Sequence, residues 1–185
     1  SFYRHAPEDF SLIYEFNTNC NTPTTLIDKH LKLIEQYKEK YPGSKPKIII
    51  SGEAYGTALE YVRYGTNYKQ YMKNIEKYFS KPWLQLSINL AINVFCIPSL
   101  HKHLEFIFGL CEKYNQTIGI TPGCVHKPNV LHPCVLDKEF KHYLELALDQ
   151  LNGKYISEYD TIDHTKNILE KLKTQMGSQS NLMPQ

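Results

Sequence analysis

Lys47-Ile48-Ile49-Ile50, followed at once by Ser51-Gly52-Glu53-Ala54-Tyr55-Gly56, is the stretch on which the fold class turns. The isoleucine run is too short for a helix and too continuously apolar for a surface strand. It suits the interior of a parallel sheet. Outward from it, Ser11-Leu12-Ile13-Tyr14-Glu15-Phe16 reads as an earlier strand, residues 84–94 as a later one and Thr117-Ile118-Gly119-Ile120 as the last. Between them lie helical patterns. Leu26, Ile27, Leu31 and Ile34 recur on one face, ahead of a stop at Pro42-Gly43. Tyr68, Tyr71, Met72, Ile75 and Phe79 form a second stripe, and Leu100, Leu104, Ile107, Phe108 and Cys111 a third.

Strands recurring every 33 to 37 residues or so, each followed by a helix, predict an α/β fold of repeated βα units around a parallel sheet. Right-handed crossovers then gather the strand-to-helix loops, 17–21, 51–66, 93–98 and 121–133, on one edge, where α/β proteins keep their sites. A helix is expected over about 137–151, closing a first unit of residues 1–152. Residues 153–185 are expected to hold one amphipathic helix, through Ile162, Ile168, Leu169 and Leu172, and a loose polar tail from Gly177.

Composition narrows the function classes. With 42% hydrophobic and 22% charged residues, disordered and collagen-like chains are excluded. No apolar run reaches the roughly 18 residues of a membrane span, and a net charge of +2 gives no footprint that demands nucleic acid. Five cysteines, an odd number in a chain without a signal-like stretch, point to free thiols in the cytoplasm rather than to a disulfide framework. The chain opens on Ser1, and the true start is expected upstream.

Two loops carry candidate chemistry. In Ser51-Gly52-Glu53-Ala54-Tyr55-Gly56-Thr57-Ala58 the glycines would let a ligand approach the backbone, beside a hydroxyl and a carboxylate. It matches neither a dinucleotide fingerprint nor a phosphate loop. Just downstream, Glu60-Tyr61-Val62-Arg63-Tyr64-Gly65 sets a guanidinium between two tyrosines, suited to clamping a carboxylate or merely stacking on aromatic faces. The second loop, Cys124-Val125-His126 and His132-Pro133-Cys134, supplies four ligands of types zinc accepts, at spacings tighter than most structural zinc sites use. A proline-stiffened loop with incidental thiols is the plainer account. His101 and His103, in the first turns of a helix, read as solvated or half-buried.

Four segments, in order, carry a resemblance: Glu15-Phe16-Asn17-Thr18-Asn19 with the downstream Pro-Thr-Thr-Leu-Ile-Asp-Lys-His at 23–30; Ser51-x-Glu53 ahead of Glu60-Tyr61-Val62-Arg63-Tyr64-Gly65; Asn93-Val94-Phe95-Cys96-Ile97-Pro98-Ser99-Leu100; and Lys127-Pro128-Asn129-Val130-Leu131 ahead of Leu136-Asp137-Lys138-Glu139-Phe140. Together they resemble the later part of the barrel of radical S-adenosylmethionine proteins of the twitch-domain type, over about residues 10–151. The resemblance implies a partial (β/α) barrel that binds S-adenosylmethionine beside a four-iron four-sulfur (4Fe-4S) cluster and generates a 5′-deoxyadenosyl radical that attacks a small-molecule or peptide substrate. It implies that Thr18, Asn19 and Ser51 line the adenosylmethionine pocket and that Arg63 faces the methionine carboxylate. Glu53 stands where the family has aspartate, and Asn93 faces the cavity. Thr18, Ser51 and Arg63 are then expected to converge at one mouth.

The family's Cys-x3-Cys-x2-Cys is absent, the cysteines here being 76, 15, 13 and 10 residues apart, as is its Gly-Gly-Glu segment. Both belong to βα units that would precede Ser1. Cys124 and Cys134 fall where the resemblance places no cysteine, so no auxiliary cluster is expected there. The expectation is the C-terminal portion of such an enzyme, without its cluster ligands. Two other readings stay open: a non-catalytic α/β module whose Arg63 and glycine loop hold an anionic small molecule or peptide, and a structural zinc loop.

Overall fold

The computed structural model describes residues 13–151, 155 and 162–177. In chain order the elements are β1 (Ile13–Thr18), α1 (Thr24–Lys40), β2 (Lys45–Ser51), α2 (Thr57–Val62), α3 (Tyr68–Phe79), β3 (Gln85–Ile92), α4 (Ile97–Tyr114), β4 (Gly119–Cys124), α5 (Lys141–Gln150) and α6 (Ile162–Gln175). Short 3-10 turns at Asn129–Leu131, Pro133–Val135 and Lys138–Phe140 lead from β4 into α5. The expected helix from about 137 therefore begins as a 3-10 turn. Ser11 and Leu12 of the expected first strand, the boundary at 152/153 and the tail from residue 178 lie outside the described residues.

The four strands are parallel and lie in the order β1-β2-β3-β4. Each strand thus pairs with its successor, and the order never reverses. Right-handed crossovers running in one direction keep their helices on one face of the sheet. The pairing register shows that face. Ile48 pairs with Leu86, Ile50 with Ile88 and Ile88 with Ile120, and all five are buried. The alternate residues form the other face: Lys47, Ile49 and Ser51 are half-buried, Asn89 and Thr121 exposed, and Lys47 pairs with Glu15 across the strands at 3.4 Å. The isoleucine run was expected to be covered on both sides. Its alternating burial instead shows closer cover by the described residues on one side, although Ser87, in register with Ile49 on the other face, is also buried.

Each helix follows from its sequence. In α1, Ile27, Leu31 and Ile34 are buried as the stripe predicts, while Leu26 is half exposed. In α3 the Asn67 side chain caps the helix by accepting from the Gln70 amide at 3.0 Å, and Tyr71, Ile75, Tyr78 and Phe79 are fully buried. In α4, Pro98 sits in the first turn and Asn115, left-handed at φ 50°, ends it. Its buried stripe holds the five residues expected and also His103, which is completely buried rather than solvated. The predicted C-terminal helix is present as α6, with Leu169 and Leu172 buried; it packs against β4 and α5. No helix among the described residues is long and apolar enough to cross a membrane.

Ile88 is the centre of this core, in register with both Ile50 and Ile120 and wholly buried. Replacing it with alanine should cost about 3 kcal/mol in urea unfolding through lost burial and an unfilled cavity. Leu33→Ala, at a residue 64% exposed on α1, should change stability by less than about 0.5 kcal/mol.

Candidate functional site

The carboxyl ends of the strands carry the site, and its centre is the exit from β2. Gly52 extends the sheet by one more bond, its amide donating to the Asn89 carbonyl at 3.1 Å. A Cβ at Gly52 would lie 1.8 Å from the Tyr71 Oη and 3.3 Å from His103 Nε2. The missing side chain therefore makes room for the protein's own phenol and imidazole, from α3 and α4, and not for a ligand.

The next residue, Glu53, is 3% exposed, and its partner is Arg63. The Arg63 Nε donates to Glu53 Oε2 at 3.1 Å and its Nη2 donates to the same oxygen at 2.8 Å. Arg63 sits immediately after α2, a helix the sequence had read as loop, where its amide closes the last turn onto the Leu59 carbonyl. The guanidinium is thus not sandwiched between its neighbours: Tyr64 is fully exposed, and Tyr61 points away to meet Phe95 edge-on at 5.0 Å between ring centroids.

Loop bonds hold Arg63 in place. Thr66 donates its amide to the Arg63 carbonyl at 2.9 Å, and Gly65 adopts φ 83°, a conformation that favours glycine. Asn21, from the loop after β1, grips this turn twice, donating from Nδ2 to the Gly65 carbonyl at 2.6 Å and accepting from the Asn67 amide at 2.8 Å. Nothing in the spacing of Asn21 marks it for this task. The buried Asn74 anchors the Asn21 loop in turn, donating to the Cys20 and Thr22 carbonyls.

Electrostatics at the centre reflect burial. Desolvation pushes the Glu53 carboxyl above its ordinary range, while the hydrogen bonds and charge of Arg63 pull it back. Burial drives the Tyr71 phenol well above its usual value, with Cys20 and Glu53 adding to the effect. His103 is pushed down to about 4, by burial first, with the Gly52 backbone partly opposing and Arg63 assisting. Although that backbone lies beside it, neither ring nitrogen completes a hydrogen bond among the described residues, and the Tyr71 hydroxyl has no partner among them either. Buried polar atoms without partners are rare enough to demand an account.

The other expected site residues are dispersed. Thr18 is in register with Ile50 and faces the helices, its Oγ1 accepting from the Cys20 amide at 3.0 Å. Ser51, one residue past Ile50, faces the uncovered side, and its hydroxyl has no hydrogen-bond partner among the described residues. Thr18 and Ser51 thus lie on opposite faces, and the expected convergence of these two at one mouth does not occur. Asn19 is exposed and caps its own turn, accepting from the Asn21 amide. Asn93 is spent locally: Oδ1 accepts from Phe95 and Nδ2 donates to the Ala91 carbonyl, each at 3.0 Å, so it does not offer its amide to a cavity.

The second loop does not form a cage. His126 and His132 stack at 4.9 Å, His132 Nδ1 accepts from the Cys134 amide and Cys134 Sγ donates to Gln175 Oε1. Among the described residues no three His, Cys, Asp or Glu side chains are grouped as a metal would need, Cys124, His126, His132 and Cys134 included. The cysteines fit an iron–sulfur cluster no better. Cys20, Cys96 and Cys111 are separate, buried and pushed by burial to about 12, which favours thiol over the thiolate a cluster binds. Ser51 Oγ and Arg63 Nη1 make no hydrogen bond among the described residues, the chemistry that the carboxylate of a ligand such as S-adenosylmethionine would require.

His103 gives this centre a measurable signature. A histidine at about 4 when folded and about 6.5 when unfolded takes up protons on unfolding between those values. Its neutral form favours the folded state above pH 6.5, and that contribution, about 3 kcal/mol for a group this buried, is lost as pH falls from 6.5 to 4. Urea unfolding of the native chain should show this loss, and His103→Asn should flatten the corresponding part of the curve. Compared with models of protein families, with curated proteins and with solved structures, the chain matches none.

Proposed function

We propose that this chain forms the later βα units of a partial (β/α) barrel of the radical S-adenosylmethionine type, and that the carboxyl end of β2 is the wall that receives the amino-acid end of adenosylmethionine. One observation carries the reading: Glu53 and Arg63, from its most distinctive segment, are bonded to each other just past the end of β2, with Arg63 ordered by Glu53 and the Asn21 clamp. The unreversed strand order supports it, because a barrel wall needs successive neighbours and an inner face free of helices. The polar residues on that face, Asn17, Ser51, Asn89 and Thr121, suit a wall lining a ligand cavity.

In this reading Arg63 orients a carboxylate and Ser51 offers a hydroxyl beside it, while Thr18 and Asn93 brace the loops from behind. Adenosylmethionine, when bound with a reduced cluster, supplies the radical chemistry. In this reading the chain contributes positioning, its cysteines lacking the Cys-x3-Cys-x2-Cys spacing of a cluster site. Its substrate class is a small molecule or peptide, and its free thiols suit a reducing compartment, the cytoplasm.

The test is an amide and arginine-Nε NMR titration of the intact chain with millimolar S-adenosylmethionine, run beside free methionine and free adenosine. The account expects shifts at Ser51, Gly52 and the Arg63 side chain with adenosylmethionine, reduced in Arg63→Met. Shifts with methionine or any simple carboxylate alone, and equal in size, would favour the anion-binding module. That second reading draws on the Arg63 Nη1 group, which makes no hydrogen bond among the described residues. No shift at these residues would refute the adenosylmethionine wall.

A further inference from the structure

The Arg63 guanidinium is committed, through both Nε and Nη2, to one oxygen of a carboxylate that is 3% exposed. An anion arriving at Arg63 competes for that guanidinium. A buried carboxylate losing its cation is costly unless other donors replace it. The neighbourhood holds few. Ser99 Oγ donates to the Cys96 carbonyl at 3.4 Å, Cys96 Sγ to the Asn93 carbonyl, and Asn74 Nδ2 to the Cys20 and Thr22 carbonyls.

Tyr71 stands apart. Its hydroxyl is wholly buried, carries no hydrogen bond among the described residues and occupies the space a Gly52 side chain would fill. Gly52 precedes Glu53 directly, with about 3.8 Å between adjoining Cα atoms. The phenol is close enough for Glu53 and Arg63 both to act on its ionisation. His103, packed on the same point, is held neutral and so does not repel the guanidinium; the phenol lies nearer the Gly52 Cβ position, at 1.8 Å against 3.3 Å for Nε2.

We infer that the Tyr71 hydroxyl is a reserve hydrogen-bond donor for Glu53, unpartnered while Arg63 holds the carboxylate and engaged when Arg63 turns to an anionic ligand. No proton changes hands: the phenol donates, the carboxylate accepts, and the guanidinium is freed. Tyr71 is therefore a positioning residue, acting through Glu53. This explains an orphaned buried hydroxyl, and why residue 52 has no side chain to displace it. The inference rests on the proposed function only in taking Arg63 as the group that meets an anion.

Removing Arg63 imitates its departure without any ligand, so the test stands apart from adenosylmethionine binding. Glu53 is titrated through its side-chain carboxyl carbon by NMR in the native chain, Tyr71→Phe, Arg63→Met and the double variant. Tyr71→Phe alone should leave the Glu53 midpoint in place. Arg63→Met should raise it, and Arg63→Met/Tyr71→Phe should raise it further, because the replacement donor is gone. Equal midpoints in the last two, or a midpoint that moves in Tyr71→Phe alone, would overturn the inference. If the double variant does not fold, the Tyr71 ring-carbon shift decides between the same outcomes: it should change from the native chain to Arg63→Met, and constancy would overturn the inference.

Discussion

A carboxylate buried as deeply as Glu53 is a liability that only a paired cation removes, and the loops at the carboxyl edge are arranged around that requirement. Arg63 must arrive at a fixed place, so α2 ends where it does and Asn21 pins the turn beyond it. Gly52 must stay bare, because Tyr71 and His103 fill the space beneath the pair. An ion pair of this kind is weak evidence for stability, since desolvation consumes much of the attraction. Its value lies in geometry: two bonds to one Glu53 oxygen hold the guanidinium in a single orientation.

The sheet provides the platform. Because each parallel strand lies beside its successor, the strand-to-helix loops reach one edge and the crossover helices share one face. The covered face is sealed by isoleucine and leucine, while the other carries asparagine, serine, threonine and a cross-strand ion pair. A doubly wound sheet would have buried both faces and placed its site at a reversal of strand order. Here there is no reversal, and the site sits beside β2 alone.

How far the sequence foretold this depends on the range of the interaction. The apolar runs at 47–50 and 86–92 and the stripes of α3 and α4 were legible because strand and helix periods are local. Strand ends moved by a few residues, and α2 went unseen because it is only six residues long and follows a glycine. That Ile49 faces an uncovered side could not be read from a run in which every residue is isoleucine. His103 was legible in principle, since it lies at i+3 from Leu100 on the buried stripe, but its residue type argued for solvent. Arg63 was singled out as a carboxylate clamp, whereas its bond to Glu53, ten residues earlier in the chain, was not foreseen. Asn93 satisfies its own turn, as asparagines do, and its sequence context does not distinguish that from facing a cavity.

The account stands or falls on the Glu53–Arg63 pair, and a double-mutant cycle on folding stability measures it most directly. Arg63→Met should be the more damaging single change, since it strands a buried charge; Glu53→Gln should cost less; and the double variant should be more stable than the sum of the two predicts. Strict additivity, with neither residue sensing loss of the other, would contradict the buried pair and the site built upon it.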